Sequence, residues 1–318
     1  MAVGLLERRL LFVTGKGGVG KTTVAAALAL LAVKEGRRTL VCEVDAKGDL
    51  AGAYEAGPLA FEARQLQPGL FAMAMDTEAS LREYLALHLK VARLARLGAM
   101  ARTFDFLANA APGIKEILTV GKLAWEVRER HYEVVIVDAA ASGHIVGQLR
   151  APQAINELLS VGLVREQTGW MLELLGDASV TGVVVVAAPE EMPVTETLEL
   201  VEELATTGVD LAAVVVNRVL PELFGRAEEE VFDRLAETGA ATALATALGR
   251  PVSPVLEAAR LAVRLRRIRA AHLVRLRQGL TERAGPIPPI LYVPELFSRS
   301  HGRRATRQVV EALAAELS

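Results

Sequence analysis

Short apolar runs alternate along this chain with longer segments whose apolar residues recur at helical spacing. The runs predict seven buried strands, at residues 10–13, 39–44, 70–75, 133–137, 182–187, 212–216 and 289–293. A strand that is apolar throughout has both faces buried, which is typical of a parallel sheet covered by helices. The pattern therefore predicts an α/β fold with a mostly parallel central sheet and helices on both faces.

Three helix-rich stretches are longer than the connections of such a sheet require. They cover about residues 77–130, 151–177 and 221–282. Because connections in compact domains are usually short, we expect the first two to form a helical insert and the third to delay the last strand. With 318 residues and 52% hydrophobic content, the chain can bury one large core or two small ones. We expect residues 1–318 to form a single elaborated domain.

The segment after the first predicted strand has the composition of a phosphate-binding loop. Gly15 and Gly20 frame the spacing G-x-x-x-x-G-K-[ST], which Lys21 and Thr22 complete. Glycines let backbone N–H groups turn towards phosphate oxygens, the lysine reaches the β- and γ-phosphates, and the threonine hydroxyl binds Mg²⁺. A glycine-rich turn with solvated lysines is the alternative, although the strand, loop and helix all occur in the required order. The expected nucleotide-binding residues are Gly15, Gly17, Gly18, Val19, Gly20, Lys21, Thr22 and Thr23.

Two aspartates follow predicted strands and are candidates for nucleotide chemistry. Asp138 ends the apolar strand 133–137, the Walker B arrangement that holds the Mg²⁺ shell beside a phosphate loop. Asp45 follows the strand 39–44, where a carboxylate can orient the attacking water or accept its proton. A structural alternative for Asp45 is a turn or helix-capping aspartate.

Composition limits the other functions that the chain can have. A net charge of −2 argues against general nucleic-acid binding, which requires a basic surface. The single cysteine, Cys42, cannot form an internal disulfide or a Cys-x-x-Cys zinc site. The apolar run 24–33 is too short to span a bilayer, and the N-terminal residues lack a signal-peptide pattern. We therefore expect a cytoplasmic protein with at most peripheral membrane contact.

Lys16 is a second lysine within the loop, and the fold of the loop does not need it. With this lysine the sequence resembles the deviant Walker A class of P-loop ATPases, whose pattern is K-G-G-x-G-K-[ST]. The resemblance implies ATP as the ligand. It also implies that Lys16 crosses a dimer interface to the partner's nucleotide, much as an arginine finger does. The expected assembly is a homodimer or a dimer with a closely similar subunit.

Further segments narrow the resemblance to the arsenical-pump ATPase and guided-entry targeting-factor family. Residues 137–152 are similar to its switch II segment, 112–116 to its P-G-I-D-E stretch, and 189–197 to the segment that carries Y-E-T. The resemblance implies water activation by Asp45 and a switch II role for Asp138. It also implies adenine recognition by Asn217 and Arg218 in a V-N segment, with Pro294 in the loop that closes over the base.

The chain departs from the family pattern at several positions. Ala46 replaces the switch I proline, and Ala139 and Ala141 replace the threonine and proline of switch II. One cysteine cannot supply the three soft thiolates that arsenite binding requires. The apolar residues of 86–107 suit either a groove for a protein client or packing of the insert against the core.

Two other functions stay open from the sequence. A positioning or partition ATPase would bind membrane or DNA, and the arginine-rich segment 260–277 supports it. A solvated helix face explains the same segment more simply. A nucleotide-binding regulatory scaffold with little turnover is compatible with the altered switch I. The main expectation is an Mg²⁺-dependent ATP-hydrolysing dimeric switch that couples its nucleotide state to a client.

Overall fold

One eight-stranded sheet organises the protein. The computed structural model describes residues 4–45, 47–89, 113–158, 163–223, 225–235, 239–283, 287–297 and 302–317. The strand order is β3-β4-β2-β5-β1-β6-β7-β8. The strands are β1 Leu10–Gly15, β2 Thr39–Glu43, β3 Arg64–Gln67, β4 Leu70–Ala74, β5 Val134–Asp138, β6 Thr181–Ala187, β7 Leu211–Val219 and β8 Ile290–Pro294. The predicted α/β class with a mostly parallel sheet is confirmed.

All seven predicted strands form, and they run parallel to one another. The sequence pattern missed β3, which pairs antiparallel with β4 at the edge of the sheet. Its residues are polar and mostly exposed. A short polar edge strand has no apolar run, so hydrophobic patterning could not find it.

Helices surround the sheet throughout the described residues. They are α1 Lys21–Lys34, α2 Asp49–Ala53, α3 Thr77–Leu89, α4 Ile114–Arg128, α5 Ser142–Leu158, α6 Leu163–Gly176, α7 Glu191–Leu204, α8 Arg226–Leu235, α9 Ala240–Leu248, α10 Ser253–Arg283 and α11 Arg303–Leu317. One core cluster joins β1, β2, β5 and β6 to α1, α2 and α11. A second joins the opposite face of those strands to α4, α5 and α7. The sheet therefore has helical layers on both faces.

The predicted helical stretches match helices, with different bounds. The stretch 77–130 contains α3 and α4, while residues 90–112 lie outside the described part of the chain. The stretch 151–177 starts inside α5, which begins at Ser142 and contains Pro152. The first turns of α5 lie in the segment 137–152 that resembles switch II, which the sequence analysis treated separately from the helical stretch. The stretch 221–282 contains α8, α9 and α10.

Among the described residues, no helix combines the length and the apolar character that crossing a bilayer requires.

Candidate functional site

The predicted nucleotide residues meet at the carboxyl edge of the sheet. Strand β1 lies between β5 and β6, and β5 lies between β1 and β2. In the strand register Asp138 is level with Val13 on one side and with Glu43 on the other. In open α/β sheets, ligands bind outside the carboxyl ends of the strands where the chain changes direction across the sheet. The phosphate loop and Asp138 therefore flank the position that a nucleotide is expected to take.

The framing glycines of the loop are required by its geometry. Gly15 has φ 143°, and a Cβ there would lie 2.2 Å from the Val186 carbonyl oxygen. Gly20 has φ 98°, and a Cβ there would lie 2.3 Å from Nδ2 of Asn217. Both positions combine a left-handed backbone with a close neighbour, so only glycine fits. Between them, Gly17 and Gly18 are exposed and Val19 is buried.

Lys21 is the charged centre of the site. Its Nζ donates a hydrogen bond to the Lys16 carbonyl oxygen at 3.2 Å, so the side chain folds back over the loop. Burial lowers the pKa of Lys21, whereas the nearby carboxylates of Asp138 and Asp45 raise it. The charges of Asp45 and Asp138 thus act on Lys21, which places the three side chains in one region of the structure.

Asp138 is the most perturbed carboxylate of the site. It is 7% exposed, and burial raises its pKa to about 6. A hydrogen bond from Thr22 and the charge of Lys21 oppose the rise in pKa, while the charge of Glu43 adds to it. The Thr22 and Asp138 side chains are thus neighbours in the site.

The donor chemistry here fits Mg²⁺ bound together with phosphate. Thr22 and Asp138 offer hard oxygen atoms, which Mg²⁺ prefers. In the described residues, no group of three or more His, Cys, Asp or Glu side chains could hold a metal ion without other ligands. Mg²⁺ is commonly bound by one or two protein oxygens, with substrate phosphates and waters completing the shell. The site has this kind of incomplete donor set.

The loops that follow β5 and β2 contain the predicted switch residues. The Thr14 hydroxyl donates to the Ala140 carbonyl oxygen at 2.9 Å, and the Ala139 N–H donates to the Val13 carbonyl oxygen at 3.0 Å. These bonds fix the start of switch II to β1. In switch I, exposed Asp45 forms an ion pair with Lys47 at 3.5 Å.

Asn217 connects the phosphate loop to the segment predicted to bind adenine. Its Nδ2 donates to the Val19 carbonyl oxygen at 2.8 Å, and its Oδ1 accepts from the Arg218 N–H at 2.9 Å. Arg218 is exposed and has φ 60°, and Pro294 is exposed at the end of β8. The structure places the three residues at one end of the sheet, with the Asn217 amide bound to the loop.

Arg269 of α10 stabilises this end of the site. Its Nη1 donates to the Arg218 carbonyl oxygen at 3.0 Å and to Oε2 of Glu295 at 3.2 Å. In the sequence, Arg269 is only one residue of the arginine-rich segment 260–277. An arginine that joins two distant segments has no local sequence signal, because its partners lie in other parts of the chain.

Two glutamates of the site had no predicted role. Lys16 forms an ion pair with Glu196 of α7, and the two side chains are 30% and 29% exposed. Glu43 is 3% exposed and accepts hydrogen bonds from the N–H groups at the start of α2. An acidic residue inside the otherwise apolar run 39–44 was the available signal for Glu43.

Comparisons with known proteins give a consistent family. The sequence profile of the anion-transporting ATPase family matches residues 8–175 and 163–234. The chain is 33% identical to ATPase BagA of Mycobacterium tuberculosis over 224 residues, which cover 67% of this chain and 66% of that protein. It is 29% identical to ATPase GET3 of Podospora anserina over 249 residues, which cover 67% of this chain and 73% of that protein.

The profile covers the phosphate loop, both aspartates and Asn217. The match spans about two thirds of the mycobacterial relative's length, 66%. It confirms the resemblance that the phosphate loop and the switch segments indicated. On the shared profile and the arrangement of these residues at one sheet edge, the chain belongs to the anion-transporting ATPase family.

Proposed function

We propose that this chain binds ATP with Mg²⁺, hydrolyses it, and works as a dimer whose assembly depends on the nucleotide. The observation that carries the proposal is the convergence of the phosphate loop, Lys21, Thr22, Asp45 and Asp138 at one edge of the sheet. Phosphoryl transfer needs positioning and charge stabilisation more than covalent chemistry. These residues supply both.

Each residue has a defined part in the proposed reaction. The loop N–H groups and the Lys21 ammonium bind the β- and γ-phosphate oxygens. Thr22 and Asp138 would hold Mg²⁺, which neutralises phosphate charge when it is bound. Asp45 is exposed, and its charge acts on Lys21. Its carboxylate can orient the attacking water and accept its proton. Asn217, Arg218 and Pro294 are proposed to border the adenine.

The dimer proposal depends on Lys16. Lys16 lies in the phosphate loop and forms an ion pair with Glu196 of α7. The nucleotide of a second protomer, with its several negative charges, offers a stronger partner than one partly exposed carboxylate. We propose that the partner is an identical or closely similar chain and that Lys16 leaves Glu196 when the dimer forms.

A cavity in the helical region supports the proposed coupling to a client. Its volume is about 320 Å³, and α3, α4, α5 and α6 supply its lining. The lining is mostly apolar and includes Tyr84, Trp125, Trp170 and Met171. Aromatic and methionine side chains suit apolar segments of varied shape. We propose that apolar side chains of a client protein's helix bind here. Of the predicted groove residues 86–107, those from 90 onward lie outside the described residues.

The first proposal is tested by measuring ATP hydrolysis in three variants, Lys21→Ala, Lys16→Ala and Lys34→Ala. Lys34 is an exposed lysine at the end of α1 and serves as the matched control. We expect Lys21→Ala to abolish Mg²⁺-dependent turnover and Lys34→Ala to leave it unchanged. Normal turnover in Lys21→Ala would contradict the ATPase proposal, and ATP-dependent dimerisation that survives in Lys16→Ala would contradict the crossing lysine.

The client proposal has a direct optical test. The chain has two tryptophans, and both line the cavity, so intrinsic tryptophan emission reports its occupancy. An apolar helical peptide of about 20 residues, the length of a bilayer span, is expected to shift the emission to shorter wavelength. Gly121→Leu should weaken this shift, because a side chain at Gly121 projects towards Met171 at 2.9 Å. Gly147→Leu is the control, since that exposed glycine has open space around it.

A cytoplasmic location is proposed on two grounds. The proposed activity uses ATP, and the one cysteine of the chain is a buried free thiol, which is compatible with a reducing compartment.

A further inference from the structure

Glu43 is a buried carboxylate bound to backbone N–H groups. Its Oε2 accepts from the Gly48 N–H at 3.2 Å, and its Oε1 accepts from the N–H groups of Asp49 at 2.9 Å and Leu50 at 3.4 Å. Gly48 has no side chain to cap α2. The first N–H groups of this helix, which lack partners within the helix, are therefore satisfied from the end of β2.

The backbone at Glu43 is hydrogen-bonded to the chain on both sides. Its carbonyl oxygen accepts from the Met75 N–H at 2.8 Å, and the next residue, Val44, donates to the Asp138 carbonyl oxygen at 3.1 Å. Strand β2 lies inside the sheet between β4 and β5. The carboxylate thus connects a rigid strand end to the residues at the start of α2.

This connection fixes both ends of the segment that contains Asp45. Asp45 lies two residues after Glu43 and three before Gly48, so the carboxylate closes a short loop around it. The charges of Asp45, Lys47 and Asp49 all act on Lys21, so this segment faces the phosphate lysine. Closing the loop limits the positions that the Asp45 carboxylate can take over the site.

Helix α2 has separate anchors, so Glu43 is not needed to hold it in place. Leu50 is fully buried in the core, and the Tyr54 hydroxyl donates to the Ala26 carbonyl oxygen of α1 at 3.0 Å. Loss of the Glu43 carboxylate therefore loosens mainly the segment between β2 and α2. The effect is expected on the position of Asp45 and much less on the fold.

We propose that Glu43 is a positioning residue for hydrolysis, which holds Asp45 in place by closing the β2–α2 segment through its two carboxylate oxygens. The proposal rests on the function proposed above, with Asp45 acting on the attacking water. Its role is geometric, so the length of the side chain matters more than its charge. A small misplacement of a catalytic group lowers turnover strongly, whereas nucleotide affinity depends on the phosphate loop.

Steady-state hydrolysis by purified full-length variants tests the proposal. Glu43→Ala is expected to lower kcat by about 10- to 100-fold and to leave KM for ATP within about threefold. Glu43→Gln keeps the length and one acceptor oxygen but turns an NH2 donor towards a backbone N–H group, so its kcat should fall by less than that of Glu43→Ala. Glu43→Asp keeps the charge but is shorter by one methylene, so its kcat should fall by about fivefold or more.

Glu133→Ala is the matched control. The Glu133 carboxylate also accepts a hydrogen bond from a backbone N–H, that of Arg38 at 2.7 Å. Glu133 is exposed and precedes β5, so it lies at the amino ends of the strands, away from the site. It should hydrolyse ATP as wild type does. Equal kcat in Glu43→Asp and wild type would overturn the proposal, and this conservative variant decides the question if Glu43→Ala does not fold. A lower thermal midpoint of Glu43→Ala with unchanged kcat would show that Glu43 has a purely structural role, and this result would also overturn the proposal.

A double variant separates this proposal from the function on which it rests. If Glu43 acts through Asp45, then adding Glu43→Ala to Asp45→Asn should lower kcat by less than about threefold further. Full additivity of the two losses would refute the positioning role. Wild-type turnover in Asp45→Asn alone would refute the role assigned to Asp45. Wild-type turnover in Lys21→Ala would refute the ATPase proposal itself.

Discussion

Breaking the ion pair between Lys16 and Glu196 is expected to strengthen the ATP-dependent dimer. Each side chain is about 30% exposed in the pair, and an exposed pair contributes about 1 kcal/mol or less. A symmetric dimer in which both lysines cross must break two pairs, which opposes dimerisation by about 2 kcal/mol or less. A tenfold change in a dissociation constant corresponds to about 1.4 kcal/mol. Removing both ion pairs is therefore expected to lower the dimer dissociation constant by up to about 30-fold.

The perturbation is Glu196→Gln, which removes the charge and keeps the size of the side chain. The dissociation constant is measured by sedimentation velocity over a range of protein concentrations, with Mg²⁺ and a non-hydrolysable ATP analogue. Glu199→Gln is the matched control, because Glu199 is an exposed glutamate on the same helix, α7. Raising the salt concentration should narrow the difference between Glu196→Gln and wild type, since salt screens partly exposed pairs.

An unchanged or weaker dimer in Glu196→Gln would refute the view that this pair restrains Lys16. An equal gain in Glu199→Gln would show that only the net charge of α7 matters. A dimer that forms equally well without nucleotide in every variant would contradict the nucleotide dependence itself.

Three further outcomes are expected. Gly20→Ala should abolish ATP hydrolysis and lower the free energy of unfolding by about 1–3 kcal/mol, because its Cβ would lie 2.3 Å from Asn217 Nδ2; turnover and chemical denaturation measure the two effects, and wild-type values would contradict them. Burial raises the pKa of Asp138 to about 6, above an unfolded value of about 3.9, so the ionised carboxylate destabilises the nucleotide-free fold at pH 7. Asp138→Asn should therefore raise stability at pH 7 by up to about 3 kcal/mol, and the gain should shrink as the pH falls from about 6 to about 4; a pH-independent difference in thermal midpoint would refute it. Burial also raises the pKa of the Cys42 thiol, so Cys42 should react with a thiol reagent only after denaturation, and rapid labelling of the native protein would be the contrary result.

The sequence predicted those parts of the site that local patterns determine. The phosphate loop is specified by glycine spacing, and Asp138 by its place at the end of an apolar strand. The carboxyl ends of parallel strands meet at one sheet edge, so the proximity of Lys21, Asp45 and Asp138 followed from the predicted fold. In the structure the charges of Asp45 and Asp138 act on Lys21.

Contacts between distant segments could not be predicted in the same way. Glu196 follows Lys16 by 180 residues, and no periodicity relates the two positions. Glu43 binds residues only five to seven positions later, but the bond requires the chain to reverse at Gly48, where φ is 82°. Helix α5 begins at Ser142, before the predicted stretch 151–177, and continues through Pro152. In each case tertiary packing decides what local propensity leaves open.

The amide of Asn217 has a consequence for how base and phosphate recognition are related. Each end of this side chain has one partner here, the Val19 carbonyl oxygen at Nδ2 and the Arg218 N–H at Oδ1. The amide therefore keeps a second N–H donor and a second acceptor position for a base. A purine bound at these positions would share the amide with the Val19 carbonyl oxygen, so base recognition is connected to the phosphate loop through one side chain. Discrimination between bases would therefore be expressed in the order of the phosphate loop as well as in affinity, and the two could be separated by comparing adenosine with triphosphate alone.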